Sequence, residues 1–403
     1  MFTYIRWLIL VASCLLGPIF LANASAQNAD YRFTSGGSAL GVPFELSGNL
    51  IVMKVRVNRS RPLHFIFDTG AGISVIDPQS AKALRLRTKG KLKLDATGGS
   101  VESGLIQSVA LSVPGVDVFN QTLATIDLDA FAPLFGFKID GIIGHDFINN
   151  FVVEIDYASG VMNFFGTQGY KYHGAGESIP IEIVDKTPFV RARIVLNGRE
   201  PIEGKFEIDT GGTGILNLNT PFVNKHKMLE TLAKQAQSKM GGAGGTSAAV
   251  KAHIPAIELG SFAIKNPLVV FARGTEGNEN STEFDGSLNN RFFSQFKVIL
   301  NYSRSEVLLE RNHKAATDLS GLEIVAEPPR FRTYVVNAVE ENSAAAAAGI
   351  HEEDTIIAID GQPASRRTLR ELRRLFTQPG EHSLKIKRDS KAIKVRMRLQ
   401  PDT

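Results

Sequence analysis

The sequence predicts a mostly β chain of two homologous lobes followed by a smaller α+β module, and three observations carry that prediction. An internal repeat links the two halves of residues 45–312. Short segments rich in Val, Ile and Phe, bounded by turn residues, dominate both halves, among them 51–57, 151–155, 189–196 and 297–300. After Arg311 the pattern gives way to a polar stretch and then to an Ala-rich helix among short strands. Composition agrees, since 403 residues with 43% hydrophobic and 21% charged side chains exclude a disordered or collagen-like chain and leave room for two or three domains. A net charge of +4 is too dilute to mark a nucleic-acid binder.

Residues 1–26 read as an export signal. Arg6 precedes an uncharged run, 7–21, and Ala24-Ser25-Ala26 supplies small residues at the cleavage spacing, so the mature chain is expected to begin at Gln27 in a periplasm or outside the cell, a bacterial envelope by preference. The run of 15 residues is short for a span of about 20. An uncut anchor stays open as an alternative, as does lipidation at Cys14, because Val11-Ala12-Ser13-Cys14 resembles a lipobox. Either would hold the chain near a membrane. Cys14 is the sole cysteine, so the mature chain has no disulfide, cysteine nucleophile or cysteine metal cage.

The repeat sets the architecture of 27–172 and 173–313. Phe65-Ile66-Phe67-Asp68-Thr69-Gly70 recurs as Phe206-Glu207-Ile208-Asp209-Thr210-Gly211 at an offset of 141. Ile139-Asp140-Gly141-Ile142-Ile143-Gly144 recurs as Phe284-Asp285-Gly286-Ser287-Leu288-Asn289 at an offset of 145, which also aligns Phe151 with Phe296 and Val153 with Val298. Between these landmarks each half carries a glycine-rich stretch, with Gly98 and Gly99 in the first and Gly242 and Gly244 in the second. They read as mobile hairpin tips or as ordinary flexible loops.

One Asp-Thr-Gly is a common turn, with Asp accepting backbone N–H groups and Gly relieving the backbone. Two copies in register mean more. Lobes packed about a pseudo-twofold axis would bring Asp68 and Asp209 together, and two carboxylates a few ångströms apart share one proton. Such a pair can hold a water, take its proton and protonate the attacked carbonyl, which is hydrolysis without a metal or other cofactor. Thr69, Gly70, Thr210 and Gly211 would support the turns.

On these motifs the chain resembles the aspartic peptidases of the retropepsin-like group, with two lobes in one chain as in the pepsin arrangement. The resemblance implies a bilobal aspartic-protease fold, catalytic roles for Asp68 and Asp209, a polypeptide substrate, flaps at Gly98, Gly99, Gly242 and Gly244, and strands through Ile142-Ile143-Gly144 beneath the turn. Asn289 in place of Gly144 and Gly212 in place of Ala71 read as erosion of the second lobe. A catalytically inactive pseudopeptidase that holds peptides as a scaffold is the competing class. No metal site is expected: His145-Asp146 reads as a supporting or surface pair, and His173, His253 and His313 are scattered. Lys225-His226-Lys227 reads as the solvated face of a helix.

Residues 318–401 form the last module. Strand 334–339, a short helix from Ser343 stopped by Gly349, and Asp354 to Gly361 as strand and turn resemble a PDZ domain, with Thr368 to Phe376 as its groove helix and strands at 383–388 and 391–399. The resemblance implies a peptide or C-terminal tail paired against Thr333 to Val336, with Phe331, Thr333, Val335, Leu369, Leu372 and Phe376 at the groove. Pro328 to Thr333 stands where the carboxylate-binding loop is expected, which departs from that pattern. Packing on the protease alone is the other reading. Residues 362–398 carry 12 Lys or Arg against three acids, which without interleaved aromatics suits an acidic peptide or anionic surface and no nucleic acid. The reading as a whole is an exported aspartic endopeptidase whose PDZ domain recruits substrate or regulates cleavage.

Overall fold

The computed structural model describes residues 30–232, 234–312 and 318–400. The expected export signal, its expected cleavage site and Cys14 lie outside the described residues. No helix among them is long and apolar enough to cross a membrane.

The strands form three sheets. The first lobe contributes Leu50–Val57 and Leu63–Phe67, whose inward side chains Val55, Phe65 and Phe67 are fully buried. Gly141–Ile143 runs parallel to Leu63–Phe67, pairing Phe65 with Gly141 and Phe67 with Ile143, and antiparallel to Val75–Ile76. The second lobe repeats the arrangement: Gly286–Asn289 runs parallel to Ile202–Asp209 and antiparallel to Leu216–Leu218. In each lobe the first landmark is therefore a strand that delivers its aspartate to a turn, and the second is the strand beside it.

Six antiparallel strands bridge the lobes in the order Glu177–Pro180, Glu306–Arg311, Phe296–Asn301, Phe151–Asp156, Val161–Gly166 and Ser38–Ser47. At the centre Glu154 pairs with Ile299, its own repeat counterpart at the offset of 145. The pseudo-twofold axis thus passes through that pair, and the repeat read in the sequence is the symmetry of the fold. Tyr157 Oη donates to Asn290 Oδ1 at 2.6 Å, and Asn290 Nδ2 donates to the Asn49 carbonyl at 2.7 Å, so buried Asn290 ties one lobe to the other.

Most helices are short and sit at strand ends. Pro78–Ala83 starts at Asp77, whose carboxylate accepts from the N–H groups of Gln79 and Ser80. Thr220–Lys225 stops at Lys225, with His226 capping it and Lys227 at φ 47°, so the basic run ends a helix and is not a face of one.

The third sheet runs Leu322–Glu327, Thr333–Val339, Thr355–Ile359, Gly380–Arg388, Lys391–Leu399 over helix Leu369–Leu375 and its own apolar core. The helix opens with a capping box: Thr368 Oγ1 accepts from Glu371 N, and Glu371 accepts from Thr368 N. Asp354, fully buried, is held by Arg388 through Nε at 2.7 Å and Nη2 at 2.6 Å and by His351 N at 2.8 Å. Burial alone would raise this carboxyl, and Arg388 together with the His351 N–H outweighs it, leaving it below the ordinary value. Arg388→Met is expected to lower the unfolding midpoint of this module by several degrees, because it strands a buried carboxylate. An unchanged midpoint in circular dichroism would show that water replaces the guanidinium.

Candidate active site

The strands Leu63–Phe67 and Ile202–Asp209 end at the two Asp-Thr-Gly turns, and the lobes bring those turns face to face. Each threonine reaches across. Thr69 N donates to Thr210 Oγ1 at 3.0 Å, and Thr210 N donates to Thr69 Oγ1 at 3.0 Å. Their hydroxyls in turn donate to the carbonyls of Ile208 and Phe67. Both threonines are buried, so the four bonds form a closed lattice with no water to compete.

That lattice fixes the carboxyl groups. Asp68 Oδ1 accepts from Gly70 N at 2.8 Å and Asp209 Oδ1 from Gly211 N at 2.8 Å. The Asp68 carboxyl lies over Gly211 of the opposite turn, which brings it close to the Asp209 carboxyl. Burial, and then the charge of Asp68, pushes Asp209 up to about 8 against the pull of the Gly211 and Gly212 N–H groups. Asp68 is also raised by burial, opposed by the N–H groups of Gly70 and Ala71. The pair therefore holds a proton where isolated carboxylates would hold none. Thr69, Gly70, Thr210 and Gly211 all stand at this junction.

The second-lobe departures compensate each other. A Cβ on Gly144 would stand 2.5 Å from the Ala71 carbonyl oxygen, so this close approach requires glycine. In the second lobe Asn289 takes the place of Gly144, and its fully buried side chain occupies the space that a Cβ on Gly212 would need. Asn289 Oδ1 also accepts from Ser287 Oγ at 2.9 Å. The substitutions read as erosion are thus a matched exchange, Ala71 with Gly144 for Gly212 with Asn289.

Asp146 supports the first turn. It accepts from Ser74 N at 2.9 Å and Ser74 Oγ at 2.6 Å, while Ser74 Oγ accepts from Gly144 N at 3.0 Å. Ser74 carried no signal in the sequence, because its repeat counterpart is Ile215. His145 stacks on Tyr302, with centroids 5.6 Å apart. Asp77, Asp127 and Asp129 gather within 4.8 Å, and the Lys138 ammonium stands 2.6 Å from Asp77.

The glycine-rich stretches are the tips of two hairpins, Lys89–Ala96 with Gly99–Val113 and Ala236–Gly242 with Gly245–His253. The tips interlock. Gly244 N donates to the Thr97 carbonyl at 3.0 Å, Gly98 lies against the Gly245 backbone, and Gly242 and Gly244 lie against Thr97 and Gly99. Ala243 at the second tip packs on the apolar wall of the first lobe. Buried Glu279 accepts from Gly98 N at 3.2 Å. Gly98→Val, at φ +87° and with no room for a side chain, is expected to part the tips and speed amide exchange at Gly244. Unchanged exchange there would mean that the tips do not hold each other.

The peptide groove assigned to the last module needs correction. Thr333–Val339 has no free edge at Tyr334 to Val336: Val335 pairs with Val325 on one side and Thr355 on the other, and Val336 bonds Asp354 and Glu353. The strand Leu322–Glu327 is the sheet edge and lies beside helix Leu369–Leu375. Pro328 to Arg332 is therefore the turn between two strands, and Asp318 to Gly321 leads into the edge strand. Leu369, Leu372 and Phe376 are buried in the module core, Phe331 packs on it, and Thr333 is exposed. The edge is also covered. The first-lobe helix Ala132–Phe135 packs on Leu322–Glu327, and a Cβ on Gly136 would meet Leu369 at 2.9 Å and Ala326 at 3.6 Å. Arg373 Nη2 donates to the Ile324 carbonyl at 2.6 Å, while Arg370 pairs with Glu45 at 2.7 Å and Glu340 with Arg291 at 3.0 Å, one contact to each lobe.

No curated protein matches the chain. Residues 53–147 match the family model described as Aspartyl protease, a span that holds the first Asp-Thr-Gly turn, its neighbouring strand and the first glycine-rich hairpin. Residues 335–388 match the PDZ domain model. The first lobe thus carries a match to an aspartyl protease domain model, and the third sheet, with its own core, a match to a PDZ domain model.

Proposed function

We propose that this protein is an exported aspartic endopeptidase acting on polypeptides through the Asp68 and Asp209 pair. The reading rests on one observation above the rest, the two aspartates brought together at facing turns locked by reciprocal threonine bonds. With one proton shared, one carboxylate takes a proton from water as its oxygen attacks the peptide carbonyl carbon, and the other carboxyl protonates the carbonyl oxygen. The tetrahedral diol then collapses, the nitrogen is protonated and the C–N bond breaks. The dyad titrates as a unit, so acid and base are not assigned to single residues. The interlocked hairpins must part to admit an extended chain. Export rests on the leader described above.

The PDZ domain is read as a regulatory or recruiting module docked on the first lobe. Peptide entry along Leu322–Glu327 requires that residues 131–137 move away. Incubating the purified chain with a mixed peptide library from about pH 3 to 9 tests the reading. Cleavage that depends on both aspartates supports it; no cleavage at any pH, with the PDZ present or removed, leaves a peptide-holding scaffold instead.

A further inference from the structure

The walls beside the two aspartates differ in one chemical respect. Side chains two residues apart on a strand share a face, so Ile66 stands beside Asp68 and Glu207 beside Asp209. In the first lobe Ile66 pairs with Val52 on one side and Ile142 on the other, a wholly apolar row. In the second lobe the same register places Glu207 between Phe189 and Ser287. Ile66 is 4% exposed and belongs to an apolar cluster with Val75, Ile126, Leu128 and Ile139. Glu207 is only partly buried.

Glu207 has no hydrogen-bond or ion-pair partner among the described residues. Its Oε1 lies 2.9 Å, and Asp209 Oδ1 3.2 Å, from the point where a Cβ on Gly70 would stand, so it shares the floor of the site with the dyad. The nearest cation along its own strand face is engaged elsewhere: Lys205 pairs with Glu182 at 3.2 Å and lies 4.6 Å over the Phe189 ring. Burial and the charges of Asp209 and Asp68 raise the Glu207 carboxyl well above its ordinary value. A carboxyl so placed beside a negatively charged dyad keeps its proton, and a cation brought by a ligand lets it ionise and pair.

We propose that Glu207 selects a substrate with Lys or Arg on one side of the scissile bond, while the Val52, Ile66 and Ile142 wall takes an apolar side chain on the other. This rests on the peptidase reading and names its substrate class. The ammonium or guanidinium would meet Glu207 with Ser287 beside it, and the preceding or following residue would fill the apolar row. Discrimination arises because a cation in the Glu207 position pairs with the ionised group, whereas an apolar side chain there leaves a desolvated carboxyl without a partner.

The test uses the full chain and peptides that differ only at the two positions flanking the cleaved bond, carrying Lys, norleucine or Glu at each. Wild type is expected to favour Lys over norleucine at one of them. Glu207→Gln and Glu207→Ile are each expected to reduce that kcat/KM ratio at least ~10-fold, the worth of about 1.4 kcal/mol of differential binding. An unchanged ratio overturns the proposal, and so does an equal loss for every peptide, which would mean that Glu207 acts on the dyad and not on the substrate. If wild type cleaves no peptide, the peptidase reading fails separately. Binding then decides: in Asp68→Asn protein, fluorescent Lys peptides are expected to bind at least ~10-fold tighter than norleucine peptides, with the preference lost on adding Glu207→Gln. Equal binding overturns the proposal in that case too.

Discussion

Asp68→Asn and Asp209→Asn are each expected to lower peptide kcat/KM by at least ~10³-fold, with substrate binding much less affected, because each removes half of a proton-sharing pair. The pH profile follows from the same geometry. One proton per pair is required, so activity should fall as pH rises past about 8, where the pair loses its shared proton, and fall again in acid as the second carboxylate fills. Stability moves the opposite way to the usual aspartate. A carboxyl raised on folding binds its proton more tightly in the native state, so its contribution is fully present below the ordinary value of 3.8 and is lost as pH rises toward about 8. Asp209→Asn should therefore stabilise the fold near neutral pH, by on the order of 1–2 kcal/mol, while abolishing cleavage. Denaturant titration of wild type and variant at pH 4 and pH 8 checks this. A stability gain equal at both pH values would mean that charge repulsion is not its source.

Thr210→Val is expected to cost about 2–4 kcal/mol of unfolding free energy and most of the activity. The hydroxyl both accepts from Thr69 N and donates to the Phe67 carbonyl, and Thr210 is 1% exposed, so removing it strands two buried groups on the opposite lobe. Thr210→Ser keeps the oxygen and should retain most of both properties. If Val and Ser behave alike, the reciprocal bonds do not set the spacing of the turns. The kinetic loss should appear in kcat more than in KM, since Thr210 touches the turns and not the substrate.

Two parts of the molecule show how far local sequence reaches. The repeat was legible because Asp-Thr-Gly and its neighbouring landmark are short, contiguous and duplicated at nearly equal spacing, and symmetry then required the two aspartates to meet. Glycine-rich tips were legible for a similar reason, as few other residues allow such backbones. Asn289 and Gly212 misled when read singly: each departs from its repeat counterpart, and only contact shows that one fills the space the other vacates. The PDZ groove misled for a different reason. Thr333–Val339 is a good strand by composition, but composition does not say which of its edges remain open, and the register closes both at Val335.

The sequence by itself therefore determined the β-rich class from turn chemistry and short apolar strands, the two lobes and paired Asp-Thr-Gly turns from the internal repeat, and the order of elements in the last module through its resemblance to a PDZ domain. Tertiary structure alone decided that the threonines lock across the axis, that the hairpin tips meet, that the first lobe covers the PDZ edge strand and that Glu207 faces the dyad without a partner. These are contacts between segments roughly 140 or more residues apart or on facing lobes, and they are set by packing and by which polar groups burial leaves to be satisfied, which no local pattern encodes.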